Sequence, residues 1–354
     1  MKRRLRFLLR LPGQAWRLLW QRGLPAMIFL ASYLRSPRQA IRIWPEDGIR
    51  VGPRVAIFVH FDANGAVRQD VLGYLSELRE AGLSVVFVTN AGRRLRAEAM
   101  AALQTLCAGV IVRRNVGYDF GALREGIERL GLPRPDTEMV LLVNDSVYGP
   151  LQPLGPILKR IDFGQADLWG LTESWQTRYH LQSYFMAFGR AALSSPAWAA
   201  FWRRVRPVSS KWWIILQYEI GLTQRLLRAG LRARALWRYQ DLVRQIPAME
   251  VERPVADDGT GAPALLAPLA RARLAHARRL EEALSERSPL NPTSDFWRLL
   301  LESGFPFLKR ELLRKNPTFV PDLTEWREVV HAVSAADLEV IERDLQRTMR
   351  DRAP

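Results

Sequence analysis

At 354 residues and 48% hydrophobic, the chain is long enough for one large α/β domain or two modest ones, and too apolar for intrinsic disorder. Its net charge of +16, dominated by arginine, implies an anionic partner: nucleic acid, an anionic membrane surface or a phosphorylated substrate. The arginine bias of a GC-rich genome is the bland alternative. The only cysteine, Cys107, excludes disulfides and cysteine metal clusters and leans toward a cytosolic compartment.

Taken in order, residues 1–54 are strongly basic, with only Glu46 and Asp47 opposing a run of arginines. Phe7, Leu8, Leu9, Leu11, Trp16, Leu18, Leu19 and Trp20 are spaced for a helix with one apolar face. Residues 24–34, LPAMIFLASYL, are apolar but too short to span a bilayer. This pattern predicts a helix lying in an anionic membrane interface; the alternative is a helix docked on the globular part with its arginines exposed. No secretory leader is expected, because no cleavable small-residue site follows the basic start.

The globular part is expected to start near Arg54, with a buried strand over 55–61 ending at Asp62. A helix over 71–82 stops at Gly82, followed by a strand over 83–90, a helix at about 94–106 and a strand over 109–113. The run Val140–Val143 makes a fourth strand covered on both faces, residues 166–174 a fifth, and residues 183–189 another. Strands alternating with crossover helices predict an α/β fold with a mostly parallel sheet and helical additions at both ends. From Trp198 two amphipathic helices follow, the second over 211–230 with Gly230 beyond its end. Four regions are expected: a basic membrane-proximal segment over 1–53, the α/β domain over 54–250, an Ala/Pro/Gly linker and arginine-rich helix over 251–290, and a C-terminal helical segment over 291–354 packing on the domain.

Two stretches carry the candidate chemistry. Asn115, Gly117, Tyr118, Asp119 and Gly121 open a helix with small and polar residues, a loop type that can offer backbone N–H groups to phosphate. The strand ending at Asn144 delivers Asn144, Asp145 and Ser146 to the sheet's carboxyl end, where open α/β sheets bind ligands. Asp145 can hold a divalent cation bridging two phosphates, or cap the turn that follows; Asp119 can contact ligand or cap its helix. Glu219, on a helix with apolar residues at helical spacing, can serve as a general base in a cleft or pair with an arginine such as Arg225. His60 reads best as a hydrogen-bonded structural histidine, whereas His180, with Gln182 and Ser183, reads as lining a polar pocket. Trp198, Trp202, Trp212 and Trp213 are either core or a sugar platform. The absence of HExxH, Walker and GxSxG motifs disfavours a zincin, a P-loop NTPase and an α/β-hydrolase.

The strings VAIFVHFD, VVFVTN, RRNVGYDFGALREGI, LLVNDSVYGPL, ADLWGLTES, HLQSYFMAF, NPTSDFWRLL and GFPFLKRELLRKNP together resemble the rhamnan synthesis protein F family, from about residue 54 to about residue 330. The resemblance implies a GT-A-like nucleotide-sugar-binding fold and a glycosyltransferase, with rhamnose as the sugar. It places His60, Asp62, Arg113, Asn115, Gly117, Asp119 and Asn144 on the donor, Thr172, Glu173, His180 and Gln182 on the acceptor, and Glu219 and Asp145 at the chemistry. Asp145-Ser146-Val147 holds one of the two carboxylates of a D-x-D motif. Either a divalent cation on Asp145 (Mg2+ or Mn2+) or arginines such as Arg113 and Arg114 would therefore meet the phosphate charge. The implied partners are a nucleotide-sugar donor such as dTDP-rhamnose, a lipid-linked glycan acceptor and, through the N-terminal segment, the inner face of a bacterial plasma membrane. No nucleic acid is expected.

Two rival readings stand beside this one. FVHFDANGAV, VVFVTN and VNDS imitate a haloacid-dehalogenase-like phosphatase with Asp62 as nucleophile, although Asn64 stands where the general acid is needed. A non-enzymatic basic adaptor for membrane or nucleic acid is the other.

Overall fold

In the computed structural model, residues 24–246 and 268–349 are described, apart from Arg35, Pro37 and Asp322. The tryptophan-bearing stretch before residue 24 and the Ala/Pro/Gly linker predicted from residue 254 lie outside the described residues, the linker's last residues excepted.

Eleven strands are described: β1 (Ala40–Trp44), β2 (Arg54–His60), β3 (Ser84–Thr89), β4 (Gly109–Arg113), β5 (Met139–Asn144), β6 (Val147–Tyr148), β7 (Leu168–Ser174), β8 (His180–Leu181), β9 (Phe185–Gly189), β10 (Ala233–Trp237) and β11 (Leu308–Lys309). The main sheet runs β1-β4-β3-β2-β5-β9-β7-β10, with β8 pairing β7 off this path. β4, β3, β2 and β5 are mutually parallel, as are β7 and β10; β1 and β9 run antiparallel to their neighbours. This is the α/β arrangement with a mostly parallel sheet that the sequence predicts.

The strands form where they do because the chain offers them cover on both faces. Along β2, Ala56 and Phe58 belong to one buried cluster and Val55, Ile57 and Val59 to the other, as the two-residue period of a strand requires. The first cluster takes its cover from the helices Gln69–Glu80 and Ala97–Leu106; the second takes it from Tyr118–Arg129 and Pro196–Arg204. The helix Gln69–Glu80 ends as expected, with Gly82 at φ +81° and its amide bonded to the Arg79 carbonyl.

One strand lies outside the predicted α/β region, and the C-terminal segment packs on that region while adding a strand to it. β1 lies inside the segment read as membrane-proximal, yet it pairs with β4, its Trp44 opposite Val110. The C-terminal segment adds β11 to β6, and its Phe296, Phe305, Phe307 and Trp326 share the cluster that holds Phe58. Trp198 and Trp202 are core side chains, while Trp212 is half exposed.

Arg113 corrects a prediction. Its guanidinium is fully buried against Glu125, 3.0 Å away and also fully buried, so it does not face a ligand. The other nitrogens reach the Asn90 side chain and, at 2.9 Å, the Val116 carbonyl, which clamps the loop before Tyr118. Glu125 also accepts from the Gln39 and Ala40 amides, tying β1 to the sheet. Arg113→Met removes one of two guanidiniums on a buried carboxylate that Arg129 continues to face at 3.1 Å, and is expected to lower unfolding free energy by roughly 1.5–3 kcal/mol, read from the urea midpoint. An unchanged midpoint would show that the pair is solvated in practice.

Candidate active site

β2 and β5 are parallel neighbours in register, Val59 opposite Asn144, so both end at the same edge of the sheet. Past these ends the Asp145 amide bonds back to the Val59 carbonyl (3.1 Å), and Asn144 accepts from the Ser146 amide (3.1 Å) and hydroxyl (2.6 Å). The Asn144 side-chain amide donates to Asp119 at 3.0 Å, which joins the turn to the start of the helix Tyr118–Arg129. The two sequence stretches singled out for chemistry therefore meet.

They meet in a cleft of about 910 Å³ lined by Asp62, Asp119, Asn144, Asp145, His180, Gln182 and Glu219 among others. Glu219 enters from the far side. The predicted helix over 211–230 is interrupted by π-helical geometry over Ile214–Glu219, and such wider turns are frequent at functional sites. Glu219 ends that turn, half buried, with Oε1 accepting from the Ser183 amide at 3.0 Å.

Six predicted residues stand elsewhere. Besides Arg113, His60 is buried behind Asp145, with Nδ1 3.1 Å from the Thr89 hydroxyl and Nε2 4.0 Å from Asp145. Burial lowers the His60 pKa against the pull of the Asp145 carboxylate, favouring a neutral ring. Asn115 is exposed outside the cleft lining. Gly117 serves the backbone: its φ is +85°, and a Cβ there would fall 2.7 Å from Pro207 Cα. Thr172 is spent on Gln182 (2.6 Å) and Tyr184 (2.7 Å), and Glu173 on the Tyr239 amide and Tyr179 hydroxyl, both at 3.0 Å.

The cations at the site come from segments to which the sequence reading assigned no role. Lys309, next to β6 through β11, donates to the Ser146 hydroxyl at 2.9 Å and sits over the Tyr184 ring. Burial draws its pKa below the ordinary range, while the carboxylates of Glu219, Glu311 and Asp119 pull the other way. Arg310 lies 3.4 Å from Asp145 and 2.9 Å from Asp344, and Arg68 lies 3.7 Å from Asp145. Asp344, on the helix Leu338–Met349, is buried; Arg310 and then Arg68 outweigh that burial and hold its carboxyl at about 2. The same helix sends Arg347 to Asp62 at 2.7 Å, so the C-terminus braces the cleft. Lys309 and Arg310 lie in the string GFPFLKRELLRKNP, which was the one signal that could have found them.

Asp62 is also fully employed. Oδ1 accepts from the Asn64 and Ala66 amides at 2.8 and 3.2 Å, and Oδ2 faces Arg347. Burial resists its ionisation, but those amides and Arg347 hold the carboxyl below its ordinary value. A phosphatase nucleophile would need a free oxygen there.

The residues fit a divalent cation poorly. Asp145 brings one carboxylate, already faced by Arg310 and Arg68. Among the described residues no three His, Cys, Asp or Glu groups gather as a cation site. What the cleft does offer an anion is Lys309, Arg310, Arg314 and Lys315 along one wall.

Asp119 supplies a pH test. Burial first, and then the neighbouring Asp145 carboxylate, raise its pKa from 3.8 to about 6. The folded chain then holds this proton at a pH where the unfolded chain has lost it. Its contribution to stability is full below 3.8 and is lost as pH rises through about 6. Asp119→Asn is expected to raise stability by about 1–3 kcal/mol at pH 7 and by much less at pH 4, measured by thermal unfolding. An equal effect at both values would deny the raised pKa.

The chain is similar to known proteins over part of its length. The profile of the rhamnan synthesis protein F family matches residues 85–250, a span holding Asp119, Asn144, Asp145, His180, Gln182 and Glu219. An uncharacterized protein of Sinorhizobium fredii, y4gN, is 30% identical over 213 residues, covering 58% of this chain and 55% of that one. Virulence protein VirA of Vibrio anguillarum is 29% identical over 225 residues, covering 61% of this chain and 66% of that one. The matched region thus spans little more than half of the first relative's length and just under two thirds of the second's. Among solved structures, a mannosyltransferase of Pyrobaculum calidifontis in complex with GDP-Man and Mn2+ aligns over 94% of this chain and 89% of its own, at 14% identity and a TM-score of 0.34. Over residues 85–250, just under half of its length, the chain is similar to the rhamnan synthesis protein F family.

Proposed function

We propose that the protein is an inverting glycosyltransferase. It moves a sugar, with L-rhamnose from dTDP-rhamnose as the favoured case, from a nucleoside diphosphate to a lipid-linked cell-surface polysaccharide under construction. The observation that carries this reading is the convergence of Asp119, Asn144 and Asp145 at a sheet edge with Glu219 across the cleft and Lys309 beside them.

Glu219 takes the acceptor hydroxyl's proton as that oxygen bonds to the anomeric carbon. The bond from this carbon to the donor's diphosphate oxygen breaks on the opposite face, and the nucleoside diphosphate leaves with the electron pair. Lys309 and Arg310 meet the charge that develops on it. Asp119 and Asn144 fix the donor at the strand ends, where Asp145 orients Arg310. A β-linked L-rhamnose donor would give an α-rhamnoside.

Among the described residues no helix is long and apolar enough to cross a membrane. The basic N-terminal segment would instead hold the enzyme on the inner face of the bacterial plasma membrane.

Saturation-transfer NMR with a panel of nucleotide sugars tests the reading. We expect dTDP-rhamnose, or another nucleoside-diphosphate sugar, to bind, and Asp145→Ala to weaken it at least about tenfold. Silence across the panel from folded protein would sink the transferase.

A further inference from the structure

Beside the cleft lies a second one of about 630 Å³, and the two share Thr177 and Ile220. Its floor is apolar: Trp212, Trp213, Leu216 and Ile220, all from the stretch that carries Glu219. Its rim carries Arg178, Arg225 and Arg228. None of these three has a carboxylate within 4.0 Å among the described residues, although ion pairs hold many of the other arginines. Arg225 is half buried, and burial together with the like charges of Arg204 and Arg228 draws its pKa below the ordinary value. Guanidiniums that crowd one another without a counter-charge favour an anion between them.

The apolar floor also continues outward. Trp213 stacks on Phe29 at 4.9 Å, and the helix Leu24–Ala31 that carries Phe29 exposes Met27 and Leu30, with Leu34 90% exposed just beyond it. A groove whose rim cations face no carboxylate among the described residues, Arg225 lying over the Phe201 ring, and which has an apolar exit suits a molecule with an anionic head and a long hydrocarbon tail.

We propose that this groove binds the phosphate-bearing lipid end of the acceptor, with the arginines on the phosphate and the tail running over Trp213 toward Phe29. The inference rests on the transferase reading, because Ile220 adjoins Glu219 and a sugar on that phosphate would reach the base from this side.

The test is co-sedimentation of the full chain with phosphatidylcholine vesicles doped with a long-chain polyprenyl phosphate, or with phosphatidylglycerol at equal charge. We expect about tenfold tighter binding to the polyprenyl phosphate vesicles, and loss of that preference in Arg225→Gln/Arg228→Gln. Trp212→Ala, at a half-exposed position, is a second variant that should weaken the same binding. Equal binding to both vesicles, or an undiminished preference in both variants, overturns the proposal. Complete displacement by inorganic phosphate at matched concentration does so too, since the site would then serve free phosphate. Nucleotide-sugar binding is measured on the same samples: if it persists without lipid preference, only this inference falls, and if it is absent, the transferase reading falls.

Discussion

Glu219→Gln is expected to lower kcat by about a thousandfold while leaving donor affinity unchanged, because a general base contributes in that range and acts only on the acceptor. The substitution is chosen for its geometry. Glutamine keeps an oxygen that can accept from the Ser183 amide, now at 3.0 Å from Oε1, so the π-helical turn and the loop it holds stay in place. What it removes is the capacity to take a proton. Initial rates at saturating donor, with acceptor varied, separate the two roles. If Glu219 only anchors Ser183, the glutamine variant stays near wild-type activity and Glu219→Ala alone is impaired. A fall in kcat common to both variants, with nucleotide-sugar binding intact, assigns the proton transfer to the carboxylate.

The parts of this architecture legible in the sequence are those whose burial is continuous. β2, β3 and β5 show as apolar runs because helices cover both faces, and Val140–Val143 announces the edge where Asp145 stands. β1 and β10 do not show in this way: Arg42 and Arg234 interrupt short strands at the sheet's two edges. The antiparallel course of β9 is a property of its pairing with β5 and β7, which a single strand's pattern does not carry. Within the site, Asp119, Asn144, Asp145 and Glu219 were readable from local spacing. Arg113 misled because a basic residue at a strand end looks the same whether it faces a phosphate or a buried glutamate. Lys309 has no local signature for the opposite reason: its contact with Ser146 spans 163 residues of chain, and only the resemblance carried by GFPFLKRELLRKNP points to its segment.

Lys309→Met is expected to lower kcat by about 10²–10³, with wild-type activity retained when divalent cations are removed by EDTA. The two halves of this expectation share one cause. A leaving diphosphate needs positive charge at the moment its bond to the sugar breaks. In many active sites a metal held by two carboxylates supplies that charge, but here the turn offers Asp145 alone, already faced by Arg310 at 3.4 Å and Arg68 at 3.7 Å. A cation would have to displace these guanidiniums or share one carboxylate with them. Lys309 needs no such exchange: its ammonium is already held at the Ser146 hydroxyl, over the Tyr184 ring and in the field of Glu219 and Asp119. Because burial lowers its pKa, the rate should fall on the basic side as pH rises toward a value below 10.5, and Lys309→Arg, which stays charged, should shift that limb upward. The opposite pattern, with wild-type activity abolished by EDTA, restored by Mn2+ and little changed in Lys309→Met, would return the charge to a metal on Asp145. With the expected pattern, the C-terminal segment is part of the catalytic unit, since β11 carries the cation that lets the nucleoside diphosphate depart.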